Sequence, residues 1–420
     1  MVGALRRRLR ALPVAFVLFP AGAVVAQEPT WPPDRQGWYW RPSFRSFAAY
    51  EDNVLFTGPK LDSPFLRFSP GVEAYYRRGL RTFSAGYSFD AEKYADPFEA
   101  LDDAFARQSA FGELETRVDA RSSLLARLEF LSTTRPEEVL QETGLLAARR
   151  RSRSLVGGAR YRRELTRRLS WDLGYAMTVQ DFRRPDERIP KLSGQVHTLA
   201  TGLSLQTSRR TTNSFRYRAQ LLTQNDVAPE LIPSNHFTSH VVAYEWSRRL
   251  SRKIELALLL GPRFSEALEP APAGDGVFHK KRELEPEANA SLTYAGDGKD
   301  FTFQYRRSQF LAFGLAGFVD SESVTLNARF EPNVRTRIDV APGFYRNTRL
   351  GVITNGVQLD VGAAYWLTPW VSLEGSYILQ RQDGTLLSTD LGERVVPEGP
   401  PISRNTVLFG LTLNRVLDLN

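Results

Sequence analysis

In the segment "WLTPWVSLEGSYILQ", residues 366–380, every second position after Pro369 is apolar: Val371, Leu373, Gly375, Tyr377 and Leu379. The alternate set is Ser372, Glu374, Ser376 and, after one break at Ile378, Gln380. Side chains of a strand point alternately to opposite faces, so one face suits oil and the other water. The pattern recurs along the chain. Phe83, Ala85, Tyr87 and Phe89 form one such set, as do Trp171, Leu173 and Tyr175, then His197, Leu199, Thr201, Leu203 and Leu205. Others are Phe215, Tyr217, Ala219 and Leu221; Ile254, Leu256 and Leu258; Phe301, Phe303 and Tyr305; and Val357, Leu359, Val361, Ala363, Tyr365 and Leu367. No long helical period competes, which predicts an all-β chain.

The connections alternate between two kinds. Short ones are "YRRGLRTF", "VDARSSLLA", "RRELTRRLSW", "QTSRRTTNSF", "SRRLSRKIEL", "YAGDGKDFTF", "FEPNVRTRI" and "WLTPWVSL". Between them lie mostly longer stretches such as residues 91–108, 134–148, 183–194, 226–236, 267–281 and 384–401. Short turns at one end and longer loops at the other are the layout of an outer-membrane barrel, with turns in the periplasm and loops outside. Adding a first strand near residues 41–56 and a last near 402–416 gives about 18 strands, an even number. A soluble propeller or sandwich has strands of ~5–6 residues and polar outer faces. Here strands of ~10 or more carry aromatic residues near the ends of the apolar face, so the oil is expected to be lipid. Trp171 and Trp370 just after short turns, with Trp246 and Trp366 just before them, are candidates for an interfacial aromatic girdle.

The composition agrees. Mean hydropathy is −0.33, with no late run of ~18 apolar residues for a membrane helix. A barrel keeps a polar average because only one face of each strand is apolar. The start, "MVGALRRRLRALPVAFVLFPAGAVVAQ", has a basic region, a short apolar run and small residues, which predicts a secretory signal at 1–26 with cleavage after Ala26. Residues 27–40 are then expected as a periplasmic segment and 41–420 as the barrel. There is no cysteine, so disulfides, thiolate metal sites and lipid attachment through an N-terminal cysteine are excluded. The net charge of +8 falls to about +4 without the signal's arginines, which argues against nucleic acid as a partner.

The stretches "RPSFRSFAAYEDNVLFTG", "LRFSPGVEAYYRRGLRTFSAGYSFD" and "SRNTVLFGLTLNRV" resemble the porin-like outer-membrane barrels of bacterial exopolysaccharide and capsule operons. The specific part of the likeness is the first two hairpins, with "YEDNV" and "RFSPG" as its motif. The resemblance implies a wide barrel in the outer membrane that passes a secreted glycan at the last step of polymerase-dependent export. It also implies a periplasmic export protein and the barrel assembly machinery as partners, and no catalytic residues. One departure is the C-terminus: many such barrels end on an aromatic residue, whereas this chain ends "VLDLN".

An aqueous lumen is expected at this strand number. Candidates to line it, opposite the apolar sets, are Glu113, Glu115, Arg117 and Asp119; Arg127 and Glu129; Arg160 and Arg162; Arg216 and Arg218; Glu255; Glu283, Glu285 and Glu287; Arg306; Arg329 and Glu331; Asp339; Asp360; and Glu374. Such groups could contact sugar hydroxyls weakly and reversibly, or simply pair across strands. The short turns gather a basic rim: Arg77, Arg78, Arg81, Arg121, Arg162, Arg163, Arg167, Arg168, Arg209, Arg210, Arg248, Arg249, Arg252, Lys253, Arg335 and Arg337. Anionic lipid, a periplasmic partner or an acidic glycan could meet it. The acidic stretch with Asp90, Glu92, Asp96, Glu99, Asp102 and Asp103 lacks EF-hand spacing. The four histidines, His197, His236, His240 and His279, join no nucleophile motif, and no phosphate-cradling loop occurs. The expectation is a channel without enzyme activity, metal or cofactor. The expected function is secretion of a polysaccharide delivered by a periplasmic export protein; a general or solute-specific diffusion porin is the first alternative and a closed structural barrel that binds partners the second.

Overall fold

A computed structural model describes residues 36–55, 60–96, 106–135, 138, 151–182, 192–225, 236–270, 278–312, 317–349, 352–383 and 401–418. The signal segment with its cleavage site after Ala26, residues 27–35, and the loop 384–400 lie outside them.

The strands are β1 Gly37–Glu51, β2 Ser63–Arg78, β3 Arg81–Tyr94, β4 Arg107–Arg117, β5 Ser122–Thr133, β6 Ser152–Glu164, β7 Leu169–Phe182, β8 Leu192–Gln206 and β9 Thr211–Asn225. They continue with β10 His236–Arg249, β11 Ile254–Pro270, β12 Phe278–Gly296, β13 Lys299–Ala312, β14 Gly317–Asn333, β15 Thr336–Arg349, β16 Val352–Thr368, β17 Val371–Asp383 and β18 Ile402–Asn414. A two-residue β19, Leu417–Asp418, prolongs β18 along β1. Each strand pairs antiparallel with the next, and β18 returns to pair with β1, from Ser43 opposite Asn414 to Glu51 opposite Thr406. The fold is a closed antiparallel barrel of 18 strands.

Register fixes its size. Carrying the residue partnerships once around the ring returns to β1 about 22 residues further along, a shear that gives a strand tilt of about 40° and a backbone radius of about 18 Å at ordinary strand spacings. The first strand begins at Gly37, four residues before the expected boundary, because Trp38 and Trp40 already alternate against Tyr39.

The hairpins at one end are tight. Asp297 and Gly298 join β12 to β13, with Gly298 at φ 68°, a conformation that a side chain would resist. The opposite end carries the longer connections, up to residues 134–151 and 384–401, although β15 and β16 are joined by only residues 350–351.

The distribution of polarity is inverted relative to a water-soluble protein. Phe215 is 66% exposed, Leu260 62% and Phe409 62%, while Ser69, Ser154, Thr198, Ser214, Ser239, Ser321, Ser372 and Thr406 on the other face are buried. The polar face is the concave one, since Arg218 on β9 reaches Glu287 on β12 past two intervening strands. A band of exposed apolar side chains around a closed ring, with every strand of the ring paired to a neighbour on each side, is what a bilayer demands of a β-structure. The barrel is of the transmembrane kind.

One patch of the inner wall is apolar. Ala49, Phe65 and Leu408 are buried together, with Phe47, Tyr94 and Ile378 packed on them. That cluster explains the break in alternation at Ile378: the side chain points inward, as its position requires, and meets oil there.

Candidate functional site: the inner wall and the barrel mouths

The strand-borne lumen candidates all lie on the concave face. Many are paired in place with an opposite charge, on the next strand or elsewhere on the inner wall. Glu113 stands directly opposite Arg127, which also pairs with Glu129. Arg160 lies 3.4 Å from Asp172, Arg216 pairs with Glu245, and Arg329 bonds Asp339 at 2.9 Å, with Arg337 on the same carboxylate at 2.8 Å. Arg41 and Glu73 form a further pair between β1 and β2. Arg306 sits over the Phe310 ring at 4.4 Å. Glu374 accepts a hydrogen bond from Ser372 at 2.9 Å, and Asp360 one from Gln358 at 2.9 Å. Glu115, Arg117, Glu255 and Glu331 share this face toward the short-turn end.

Asp119 is different. It lies in the turn between β4 and β5, where its carboxylate accepts the Arg121 backbone N–H at 2.7 Å, and that bond holds its pKa below the usual carboxylate value. It caps a turn and does not line the lumen. Arg162 bonds Ser170 at 3.2 Å on the inner face.

Three of the four expected girdle tryptophans face outward or sit at the rim. Trp171 packs edge-on against Tyr161 and donates its indole N–H to Thr201 at 2.9 Å. Trp246 shares the outer face of β10 with Tyr244, and Trp370 is half exposed in its turn. Trp366 does not belong to the girdle. It lies between the exposed Tyr365 and Leu367, so it points into the lumen, where the Arg337 guanidinium stands 5.5 Å from its ring centre. Trp38 and Trp40 take outward positions at the same end instead, with Trp38 against Tyr76 at 4.7 Å.

Two histidines stand on the lipid-facing side. His197 pairs with Tyr175 at 2.7 Å and His240 with Tyr217 at 2.8 Å. Each polar group in an apolar band is thereby given a partner, which lowers the cost of holding it in hydrocarbon. The side chains of His236 and His279 are outside the described residues, as are Glu99, Asp102 and Asp103 of the acidic stretch.

At the short-turn end Arg78, Arg167, Arg168, Arg209, Arg210, Arg248, Arg249 and Arg252 are exposed and Arg77 half-buried, forming a basic rim. Lys253 there bonds Asp297 at 3.0 Å, and this raises its pKa.

The opposite mouth holds two charge clusters that strand alternation alone did not single out. On one side Glu51, fully buried, meets Arg404 at 3.3 Å and Arg135 at 3.6 Å, and Arg135 also meets Glu92, which Arg67 holds from β2. Burial opposes the charge on Arg135, but the facing Glu92 and Glu51 carboxylates outweigh it and raise its pKa. On the other side Arg263 of β11, 1% exposed, pairs with both Glu285 of β12 and Asp320 of β14. Oxygens of Glu283, Glu285 and Asp320 come within 4.8 Å of one another, a grouping that could hold a cation. The arginine already supplies positive charge there. Extending the alternation of "KIELALLL" past Gly261 and Pro262 places Arg263 on the polar face, a signal present in the sequence.

No protein-family model matches the chain, and no curated protein matches it in sequence. Among solved structures it is similar to OccAB4 of Acinetobacter baumannii, at 10% identity over 92% of this chain and 100% of that one, with a TM-score of 0.48. OpdK, an outer membrane protein of Pseudomonas aeruginosa, is similar at 11% identity over 90% and 99%, TM-score 0.45. The siderophore receptor PirA of the same organism is similar at 10% over 91% and 81%, TM-score 0.45. At these values the likeness is to barrel architecture only.

Proposed function

We propose that the chain is a passive channel of the bacterial outer membrane through which small polar solutes diffuse. The observation that carries this reading is the inner wall: a ring of about 18 Å backbone radius on which many of the charges are paired on the spot. Paired charges wet a pore without holding an ion in it, and passage needs binding weak enough to leave. The apolar outer band and the signal-like start support the outer membrane as its location.

A second reading is secretion of a polysaccharide handed over by a periplasmic export protein. Its support is the likeness of the first two hairpins to the barrels of exopolysaccharide operons, together with the arginine rim, a surface suited to an acidic partner, glycan or lipid. The motif "YEDNV" does not itself argue for a glycan. Glu51, Asp52 and Asn53 reach Arg404, Asn405 and Ser403 of β18, so those residues serve barrel closure.

Two experiments separate the readings. Swelling of proteoliposomes in sugars of increasing size is expected to show entry of mono- and disaccharides with a size cut-off, and no swelling by a folded barrel would contradict diffusion. Deletion of the gene is expected to leave surface polysaccharide unchanged. Loss from the surface with build-up in the periplasm would instead establish export.

A further inference from the structure

The wall is interrupted between β12 and β13. Their partnerships run from Gly296 opposite Lys299 to Ala288 opposite Arg307 and stop, although both strands continue toward the long-connection end. Proline marks the stop, although at Pro262 the β10–β11 ladder lapses for only two pairs and resumes. Pro262 and Pro286 face each other within the unbroken β11–β12 ladder, which two prolines can do only at a pair without hydrogen bonds. Pro286 then turns its ring nitrogen toward β13, where a ladder donor is needed and none exists.

Beyond that point the two edges overlap. Asp320 shares its strand face with Val324, which is exposed on the outer band, yet its carboxylate meets Arg263 on the inner face of β11. Adjacent residues of the β13–β14 hairpin are covered on both sides: Ser308 and Gln309 are buried, as are Val319 and Ser321. So the inner face of β11–β12 lies against the outer face of β13–β14, and the Arg263 guanidinium bridges them through Glu285 and Asp320.

We propose that this overlap is a latched lateral opening, through which a single-chain amphiphile passes between the lumen and the adjoining half of the bilayer. Among the described residues, separating the layers breaks the Arg263 bridge and no β12–β13 backbone ladder. The margin toward lipid is apolar, with Phe264 50% and Leu284 66% exposed. The margin toward the lumen carries Glu283, Glu285 and Asp320 against Arg263 and against Lys281, which lies 2.8 Å from Glu283, an excess of one negative charge. An acyl chain suits the first and a zwitterionic or cationic head the second. The proposal is independent of which polar solute diffuses through the lumen.

The chain has no cysteine, so Gln309→Cys introduces a single thiol inside the overlap. The protein is reconstituted in phosphatidylcholine vesicles and exposed to lysophosphatidylcholine carrying a maleimide at the end of its acyl chain, which leaves the head zwitterionic. Val357→Cys, on the exposed outer face, serves as the lipid-facing reference. Labelling of Gln309→Cys is expected to be slow, and to rise to the reference rate when Arg263→Met is added, with Asp320→Asn giving an intermediate rate. Folding of each variant is checked by heat-modifiable gel migration, and Asp320→Asn carries the test if Arg263→Met does not fold. Folded variants whose thiol stays unlabelled while Val357→Cys reacts would overturn the proposal and make the overlap a permanent seal. Labelling by a bulky water-soluble maleimide but not by the lysolipid would overturn it equally, since the overlap would then open to water alone.

Discussion

The barrel is closed in two different ways at two walls that lie six strands apart around the ring. At the seam, where β1 meets β18, the chain is not covalently continuous, and closure is made several times over. A ladder runs from Ser43 opposite Asn414 to Glu51 opposite Thr406, three consecutive residues Glu51, Asp52 and Asn53 hold β18, and the Ala49, Phe65 and Leu408 cluster backs it from inside. At the overlap of β11–β12 with β13–β14 the chain is continuous through its hairpins, yet the ladder stops and one arginine bridges the layers. Covalent connection guarantees that the second pair of edges stays near; only side chains and ladder guarantee the first. The difference separates a wall that must never part from one that can.

The largest expected effect is at the seam. A Cβ at Gly410 would lie 2.0 Å from the Ser46 carbonyl oxygen and 2.8 Å from the Phe47 Cα, so Gly410→Val forces β18 away from β1. The expected outcome is loss of the heat-modifiable folded form; normal closure would show that the strands have slack there.

Next is Glu51→Gln. It removes the buried carboxylate that Arg404 and Arg135 share, a loss of about 3–5 kcal/mol in urea unfolding. Glu285→Gln in the overlap is expected to cost clearly less, because Asp320 and Glu283 remain beside Arg263. Equal losses would break the contrast between the two walls.

A smaller effect sharpens the contrast from the other side. Pro286→Thr restores a backbone donor facing β13 and is expected to add about 0.5–1.5 kcal/mol of stability and to slow amide exchange in β13 above Arg307. Unchanged exchange would mean that the proline is not what ends the ladder.

The smallest effect is in acid. Desolvation raises the pKa of Asp52, but the Asn405 backbone and side-chain N–H groups and the Lys60 ammonium outweigh it, so the folded value lies below the ordinary one. A depressed carboxylate stabilises the folded state above its unfolded pKa of ~3.9, and this is lost as pH falls through the lower folded value. Unfolding stability is therefore expected to drop below about pH 4, and Asp52→Asn to flatten that drop. An identical acid profile in the variant would remove Asp52 from the seam's account.

Much of this was legible in the sequence. Period-two alternation names the strands, their faces and the ring of 18, because lipid outside and water inside impose it at every position. What alternation alone does not show is which strands meet side by side. Trp366 is the clearest case: nearness to a turn suggested a girdle residue, whereas its place between Tyr365 and Leu367 already put it on the polar face. Trp38 and Trp40 were hidden by the polar run that precedes them. Pro262 and Pro286 are plain to see in the chain, but their facing one another depends on a register set by 17 residue partnerships between β11 and β12. Glu51, Arg135 and Arg404 come from three distant segments and become a cluster only when the barrel closes.

The most direct test of the channel reading is conductance of the refolded barrel in a planar bilayer. Stable, ohmic steps with weak preference between cation and anion are expected, because many of the lumen charges are paired and both signs line the wall. A barrel that is folded by gel migration and inserted, yet gives no steps, would contradict the channel and leave a closed structural barrel in its place.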